Sequence, residues 1–126
     1  MKPWIIACVT AVSVMAGAAM ADESGLSGAE LTALLANGKT IKLGGPGEGY
    51  NGELTLNADG TGKGQAKTDG GDVLTLTGTW RIEGDHFCPT WKEFNDGKEV
   101  CETWVPDGQN RVKVMLNGEK IGTNYW

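Results

Sequence analysis

From Lys39 to Trp126 the chain is cut into short alternating runs by Asp-Gly and Asn-Gly steps, and this punctuation leaves few folds open. The runs span 39–43, 50–57, 61–68, 73–82, 86–93, 98–105, 111–116 and 120–126. Between them stand Asp59-Gly60, Asp69-Gly70-Gly71-Asp72, Glu83-Gly84-Asp85, Asn95-Asp96-Gly97, Asp107-Gly108 and Asn117-Gly118. Asp, Asn and Gly tolerate the positive φ of tight hairpin turns, so each step reads as a reversal between antiparallel strands. No gap is long enough for a crossover helix. The expectation is therefore an all-β, antiparallel meander of seven to eight strands. Strands of about six to eight residues at roughly 3.3 Å per residue can close into a small barrel, or nearly close, which removes the exposed edges of an open sheet. The interior of such a barrel is filled by side chains or holds one small ligand.

Side chains alternate along a strand, so parity assigns the faces. Leu74, Leu76, Gly78, Trp80 and Ile82 share an inward face, opposite Thr75, Thr77, Thr79 and Arg81. Val112, Val114 and Leu116 repeat the inward pattern. Gly62, Gly64 and Ala66 form a face of small residues, on which a bulky neighbour, Trp80, is expected to lie flat and buried. Trp91 and Trp104 belong to one hairpin and are expected to stack across it.

Residues 1–21 read as a signal peptide: Lys2, an apolar run from Trp4 to about Met15, and small residues up to Ala19-Met20-Ala21. The apolar run is too short to span a bilayer. The mature chain is expected to start at Asp22, to be periplasmic or secreted, and to be a monomer without membrane insertion. Cys8 falls inside the leader. Residues 22–38 form the one helical segment: Ser27 with Glu30 fits a capping box, Leu31, Leu34 and Leu35 make an apolar stripe, and Asn37-Gly38 supplies the stop. This helix is expected to cover one end or edge of the β domain, residues 39–126.

The formal charge is −5, and Lys and Arg are scattered singly. Nucleic acids and anionic surfaces need clustered cations, so neither is an expected partner. In an exported chain, Cys88 and Cys101 are the natural disulfide, contributing on the order of 3 kcal/mol. The pair has neither zinc-site nor Cys-x-x-Cys spacing. A two-residue turn at Asp96-Gly97 would set Cys88 opposite Val105. Direct pairing of the cysteines instead sets Trp91 against Lys98, and it requires a longer loop over 92–97 or a bulge.

His86 is the only histidine, and the mature chain offers only Ser24 and Ser27 as serine nucleophiles, both in the helical segment. His86 therefore reads as a surface residue, and no catalytic residue is assigned. The acidic turns could offer oxygen ligands to calcium, but Asp and Asn serve turns for conformational reasons alone, so no metal or cofactor is expected. Trp126 ends the chain as an aromatic residue ends many outer-membrane barrels. The residues alternating with it, Asn124 and Gly122, give no apolar outer band.

Among the aromatic residues, Tyr50, Trp91 and Trp104 are the candidate ligand-binding set, at the mouth of the barrel. The run Gly78-Thr79-Trp80-Arg81, a Gly-Asp turn, Phe87-Cys88, Cys101-Glu102-Thr103-Trp104 and the closing Asn117-Gly118…Gly122 resembles a family of small exported bacterial proteins known as a domain of unknown function. The likeness runs from Leu26 to the end and implies no catalytic residues. Gly78-x-Trp80 is also similar to the Gly-x-Trp strand of lipocalin-type (calycin) barrels, where it lies on the first strand and not mid-chain.

Two functions follow. One is a non-enzymatic binding protein for a small apolar or aromatic ligand. The other is a protein-interaction module, such as an inhibitor or an envelope accessory factor. A cavity of about 300 Å³ or more favours the first, and a filled interior with an exposed apolar patch favours the second.

Overall fold

The computed structural model describes residues 24–126, and the expected signal peptide, residues 1–21, lies outside them. Helix α1 (Gly28–Leu35) is followed by eight strands: β1 (Lys39–Gly44), β2 (Tyr50–Leu56), β3 (Thr61–Thr68), β4 (Val73–Glu83), β5 (His86–Trp91), β6 (Thr103–Pro106), β7 (Arg111–Leu116) and β8 (Glu119–Tyr125). All pairings are antiparallel, in the order β5-β4-β3-β2-β1-β8-β7-β6, giving a nearly closed up-and-down barrel. The turns are where the backbone demands them: Asn117 and Gly118 have φ of 53° and 81° between β7 and β8, a pair that only residues tolerant of the left-handed region adopt.

One end of the barrel is stoppered. Ser27 accepts from the Glu30 N–H and Glu30 reaches back to the Ser27 N–H, the reciprocal cap expected from the sequence. The helix so started buries Leu31 and Leu35 completely in the same cluster as Ile41, Leu56, Phe87, Trp104 and Val112. Asp85, in the β4–β5 turn, accepts from the Gly28 N–H and fixes the helix to that end. The segment before it is tied to β6 by Leu26 N–H donating to the Trp104 carbonyl.

The barrel has two thin seams. Between β1 and β8 only Lys42↔Tyr125 and Leu43↔Asn124 pair. Between β5 and β6 only the bridges Phe87↔Glu102 and Thr90↔Glu99 form. The second seam is thin for a covalent reason: Val100 donates to the Pro89 carbonyl, but proline has no N–H to return the bond. The expected run 98–105 is consequently a strand only over Thr103–Pro106, with a 3₁₀ turn at Asn95–Gly97 replacing a tight hairpin. The two bridges put Cys88 directly opposite Cys101 and Trp91 opposite Lys98, the register that the longer loop permits. The cysteines stand at disulfide distance, with Cα atoms 4.0 Å apart. On the outside, Arg81 of β4 reaches past β5 and donates from Nε and Nη2 to both Glu99 oxygens (2.6 and 2.9 Å), a second tie across the same gap.

Three placements differ from the sequence reading. Trp91, not Trp80, lies on the small-residue face: a Cβ on Gly62 would sit 2.9 Å from the Trp91 ring. The reason is register: Trp91 of β5 pairs with Gly78 of β4, which pairs with Gly62 of β3, so the indole lies across two positions without side chains. Trp80 is half-buried near the stoppered end, where its indole N–H is shared by the Asn57 and Thr61 carbonyls (both 3.1 Å). Trp104 stacks not on Trp91 but between Phe87 (4.7 Å between centroids) and Trp126 (6.4 Å), because its inward partner across the seam is Phe87's end of β5.

Candidate functional site

The inward faces that α1 does not stopper leave a cavity of about 180 Å³ at the opposite end. That end is where β1, β3, β5 and β7 finish and β2, β4, β6 and β8 begin. Leu43, Leu54, Ala66, Leu76 and Val114 give it aliphatic walls, and Tyr50, Phe87 and Trp91 give it aromatic ones. Its rim is apolar and open to solvent: Leu74, Phe94 and Ile121 are 36%, 38% and 49% exposed, three of the four large apolar residues so exposed among those described.

Besides Tyr50, the polar side chains of Asn124 and Glu102 line this space. Asn124, 7% exposed, faces inward from β8 and has no side-chain hydrogen bond among the described residues. Glu102 faces inward because it precedes Trp104 by two residues, on the same side of the strand. One of its oxygens accepts from the Trp104 indole N–H at 3.1 Å, and its second oxygen has no partner among the described residues. Burial pushes the Glu102 carboxyl up to about 7, and the hydrogen bond from Trp104 offsets this only in part. The residue retains some accessible surface and lines the cavity.

The three aromatic residues singled out from sequence take different positions. Tyr50 and Trp91 meet at the cavity. Trp104 is fully buried beneath it and acts on the site through Glu102. Glu102 itself escaped the sequence reading, although its parity with Trp104 was there to be read. Acidic residues are so seldom turned into a small core that the parity was outweighed by residue type.

Tyr50 also repairs the first seam. The β1–β8 pairing stops at Leu43↔Asn124, and the next β8 amide, the Thr123 N–H, donates to the Tyr50 hydroxyl at 3.1 Å. The phenol can lie there because residue 122 is glycine: a Cβ would fall 2.5 Å from the hydroxyl oxygen. Beside it, Thr123 Oγ1 donates to Glu48 at 2.9 Å, which holds that carboxyl below its ordinary range, and Lys120 donates to the other Glu48 oxygen at 3.3 Å. Tyr50→Phe leaves the Thr123 N–H unpaired beside the cavity and is expected to lower stability by about 1–2 kcal/mol. Urea denaturation measures the loss; a midpoint equal to that of the parent protein would show that the phenol is not the seam's acceptor.

His86 is exposed at the start of β5, its Nδ1 3.2 Å from the Thr103 hydroxyl. Asp59 accepts through Oδ1 from the Thr61 N–H and hydroxyl (2.9 and 2.7 Å), so that oxygen serves the turn's conformation. A larger hollow of about 680 Å³ lies on the outer face of β2–β4, walled by exposed Glu53, Thr55, Lys63, Gln65 and Thr75 and half-buried Thr77. Those groups are already hydrated, so a ligand there would gain little from burial. The inner cavity combines apolar walls with convergent polar groups, as ligand sites do. Comparison with protein-family models, with curated proteins and with solved structures finds no match to this chain.

Proposed function

We propose that this is an exported, non-enzymatic binding protein that takes one small apolar or aromatic molecule into the open end of its barrel. The cavity walled by Tyr50, Phe87 and Trp91 carries the reading. Its size bounds the ligand. At about 180 Å³ it falls short of the 300 Å³ or more typical of drug-sized sites. It exceeds the roughly 150 Å³ of an apolar cavity that admits benzene, so the enclosed part of the ligand is about one ring or a short branched chain. The exposed rim of Leu74, Phe94 and Ile121 then covers whatever protrudes.

The same rim supports a second reading, in which it is the contact surface of a protein-interaction module. The two readings differ in what fills the interior. Native mass spectrometry of protein purified from its own cell envelope is expected to show a retained small molecule. Leu76→Trp, which adds bulk inside the cavity, is expected to abolish retention while keeping the β-rich circular dichroism spectrum. A protein isolated empty, whose amide resonances at residues 50, 91 and 122 ignore one-ring probes such as indole, would leave the interaction reading in place of this one.

A further inference from the structure

We infer that the cavity selects an organic cation, an alkyl- or arylamine whose ammonium group enters first and lies between Glu102 and Asn124. The inference rests on the binding reading above and adds the ligand's charge. Four independent features converge on it. One polar group on its wall is a carboxyl, Glu102, with one oxygen held by the Trp104 indole and the other unpartnered among the described residues. Asn124 offers a second oxygen, buried and likewise unpartnered. Phe87, Trp91 and Tyr50 present aromatic walls, whose faces attract cations. Among the described residues no Lys or Arg lines the cavity to compete for the carboxylate, and the chain's net charge of −5 favours the approach of a cation.

The groups facing Glu102 simplify its titration. β5 presents Phe87, β7 presents Val114, β8 presents Gly122 and Asn124, and β2 presents Tyr50, the one other titratable group on the cavity wall, whose oxygen accepts from Thr123. A bound ammonium stabilises the carboxylate against its burial. Below the carboxyl's raised range, binding must therefore release a proton: the protonated carboxyl gives its proton to solvent, and the ammonium pairs with the carboxylate left behind. With the carboxyl at about 7, affinity should be roughly 100-fold greater at pH 8 than at pH 5.

Calorimetric titration of the full mature protein with benzylamine, benzyl alcohol and benzoate at pH 5 and pH 8 tests this. Benzylamine stays protonated throughout that range. It is expected to bind most tightly at pH 8, to release close to one proton at pH 5 when two buffers of different ionisation enthalpy are compared, and to lose its advantage over benzyl alcohol in Glu102→Gln. Equal affinity for amine and alcohol at pH 8, or a Glu102→Gln protein that still prefers the amine, overturns the charge selection while the cavity reading survives. Should none of the three probes bind at either pH, both fall together. The proton-release measurement needs only the parent protein, so the test does not depend on how the variant folds.

Discussion

Glu102→Gln should make the protein more stable at pH 8, by at most about 3 kcal/mol, and should flatten its stability between pH 4.5 and 7. The direction follows from where the proton is held. In the unfolded chain Glu102 ionises at its ordinary value of 4.5, whereas in the folded barrel burial delays ionisation to about 7. The fold binds this proton more tightly than the unfolded chain does, so the contribution is intact below pH 4.5. It is lost as pH rises, until both states are ionised above 7. The upper figure assumes that no water follows the charge, and the cavity opens to solvent, so a loss nearer 2 kcal/mol is the realistic size. Glutamine keeps the acceptor for the Trp104 indole and removes the titration.

The acid limb of the same profile belongs to other groups and has the opposite sign. Glu48 is held low by Thr123, Asp59 by Thr61 and Glu99 by Arg81. Their stabilisation is present above the ordinary carboxylate range and fades as pH falls through their lowered values. Urea midpoints for the parent and Glu102→Gln proteins at pH 5, 6, 7 and 8 isolate the Glu102 limb, since the acid limb lies below that range. Parallel curves for the two proteins across that range would show that Glu102 does not titrate in the barrel.

The second large effect belongs to the cysteines. Replacing Cys88 and Cys101 together by alanine is expected to cost about 3 kcal/mol, as for a closed loop of this length. The cost should also be local. The β5–β6 seam is held by three backbone hydrogen bonds, and Pro89 withholds a fourth donor, so the link carries a large share of the closure there. The Phe87, Val100 and Glu102 amides, all hydrogen-bonded across the seam, should lose exchange protection first, ahead of the β2 and β3 amides on the far side. Arg81 remains as the outer tie through Glu99, so the opened seam should fray without detaching. Equal loss of protection in all strands would mean that the barrel opens as one unit and that the link is no special closure of the seam.

Glu102 ties the two effects together. It stands at the seam as the backbone partner of Phe87 and at the cavity as its carboxyl. Loosening the seam should therefore admit water to the carboxyl and bring its titration back toward the ordinary range.

The strand count, the antiparallel order and the capped helix were legible in the chain because each is governed by neighbours in sequence. Alternation sets the face of a residue, Asn117-Gly118 and its like set the reversals, and Ser27 with Glu30 sets the helix start. Even the opposition of Cys88 and Cys101 could be worked out, since both lie in one hairpin and only the loop length was in question. What the tertiary structure decided was which inward side chains meet. Trp91 over Gly62, Trp104 against Trp126, and the Tyr50 hydroxyl on the backbone of β8 all join residues that no single hairpin brings together. Their meeting depends on barrel closure, stagger and the bends at its seams, which no local pattern encodes. The inward turn of Glu102 lay between the two cases: parity gave its direction, but only the closed barrel, by surrounding it with Phe87, Trp91 and Val114, turned that direction into a buried acid at the foot of an open cavity.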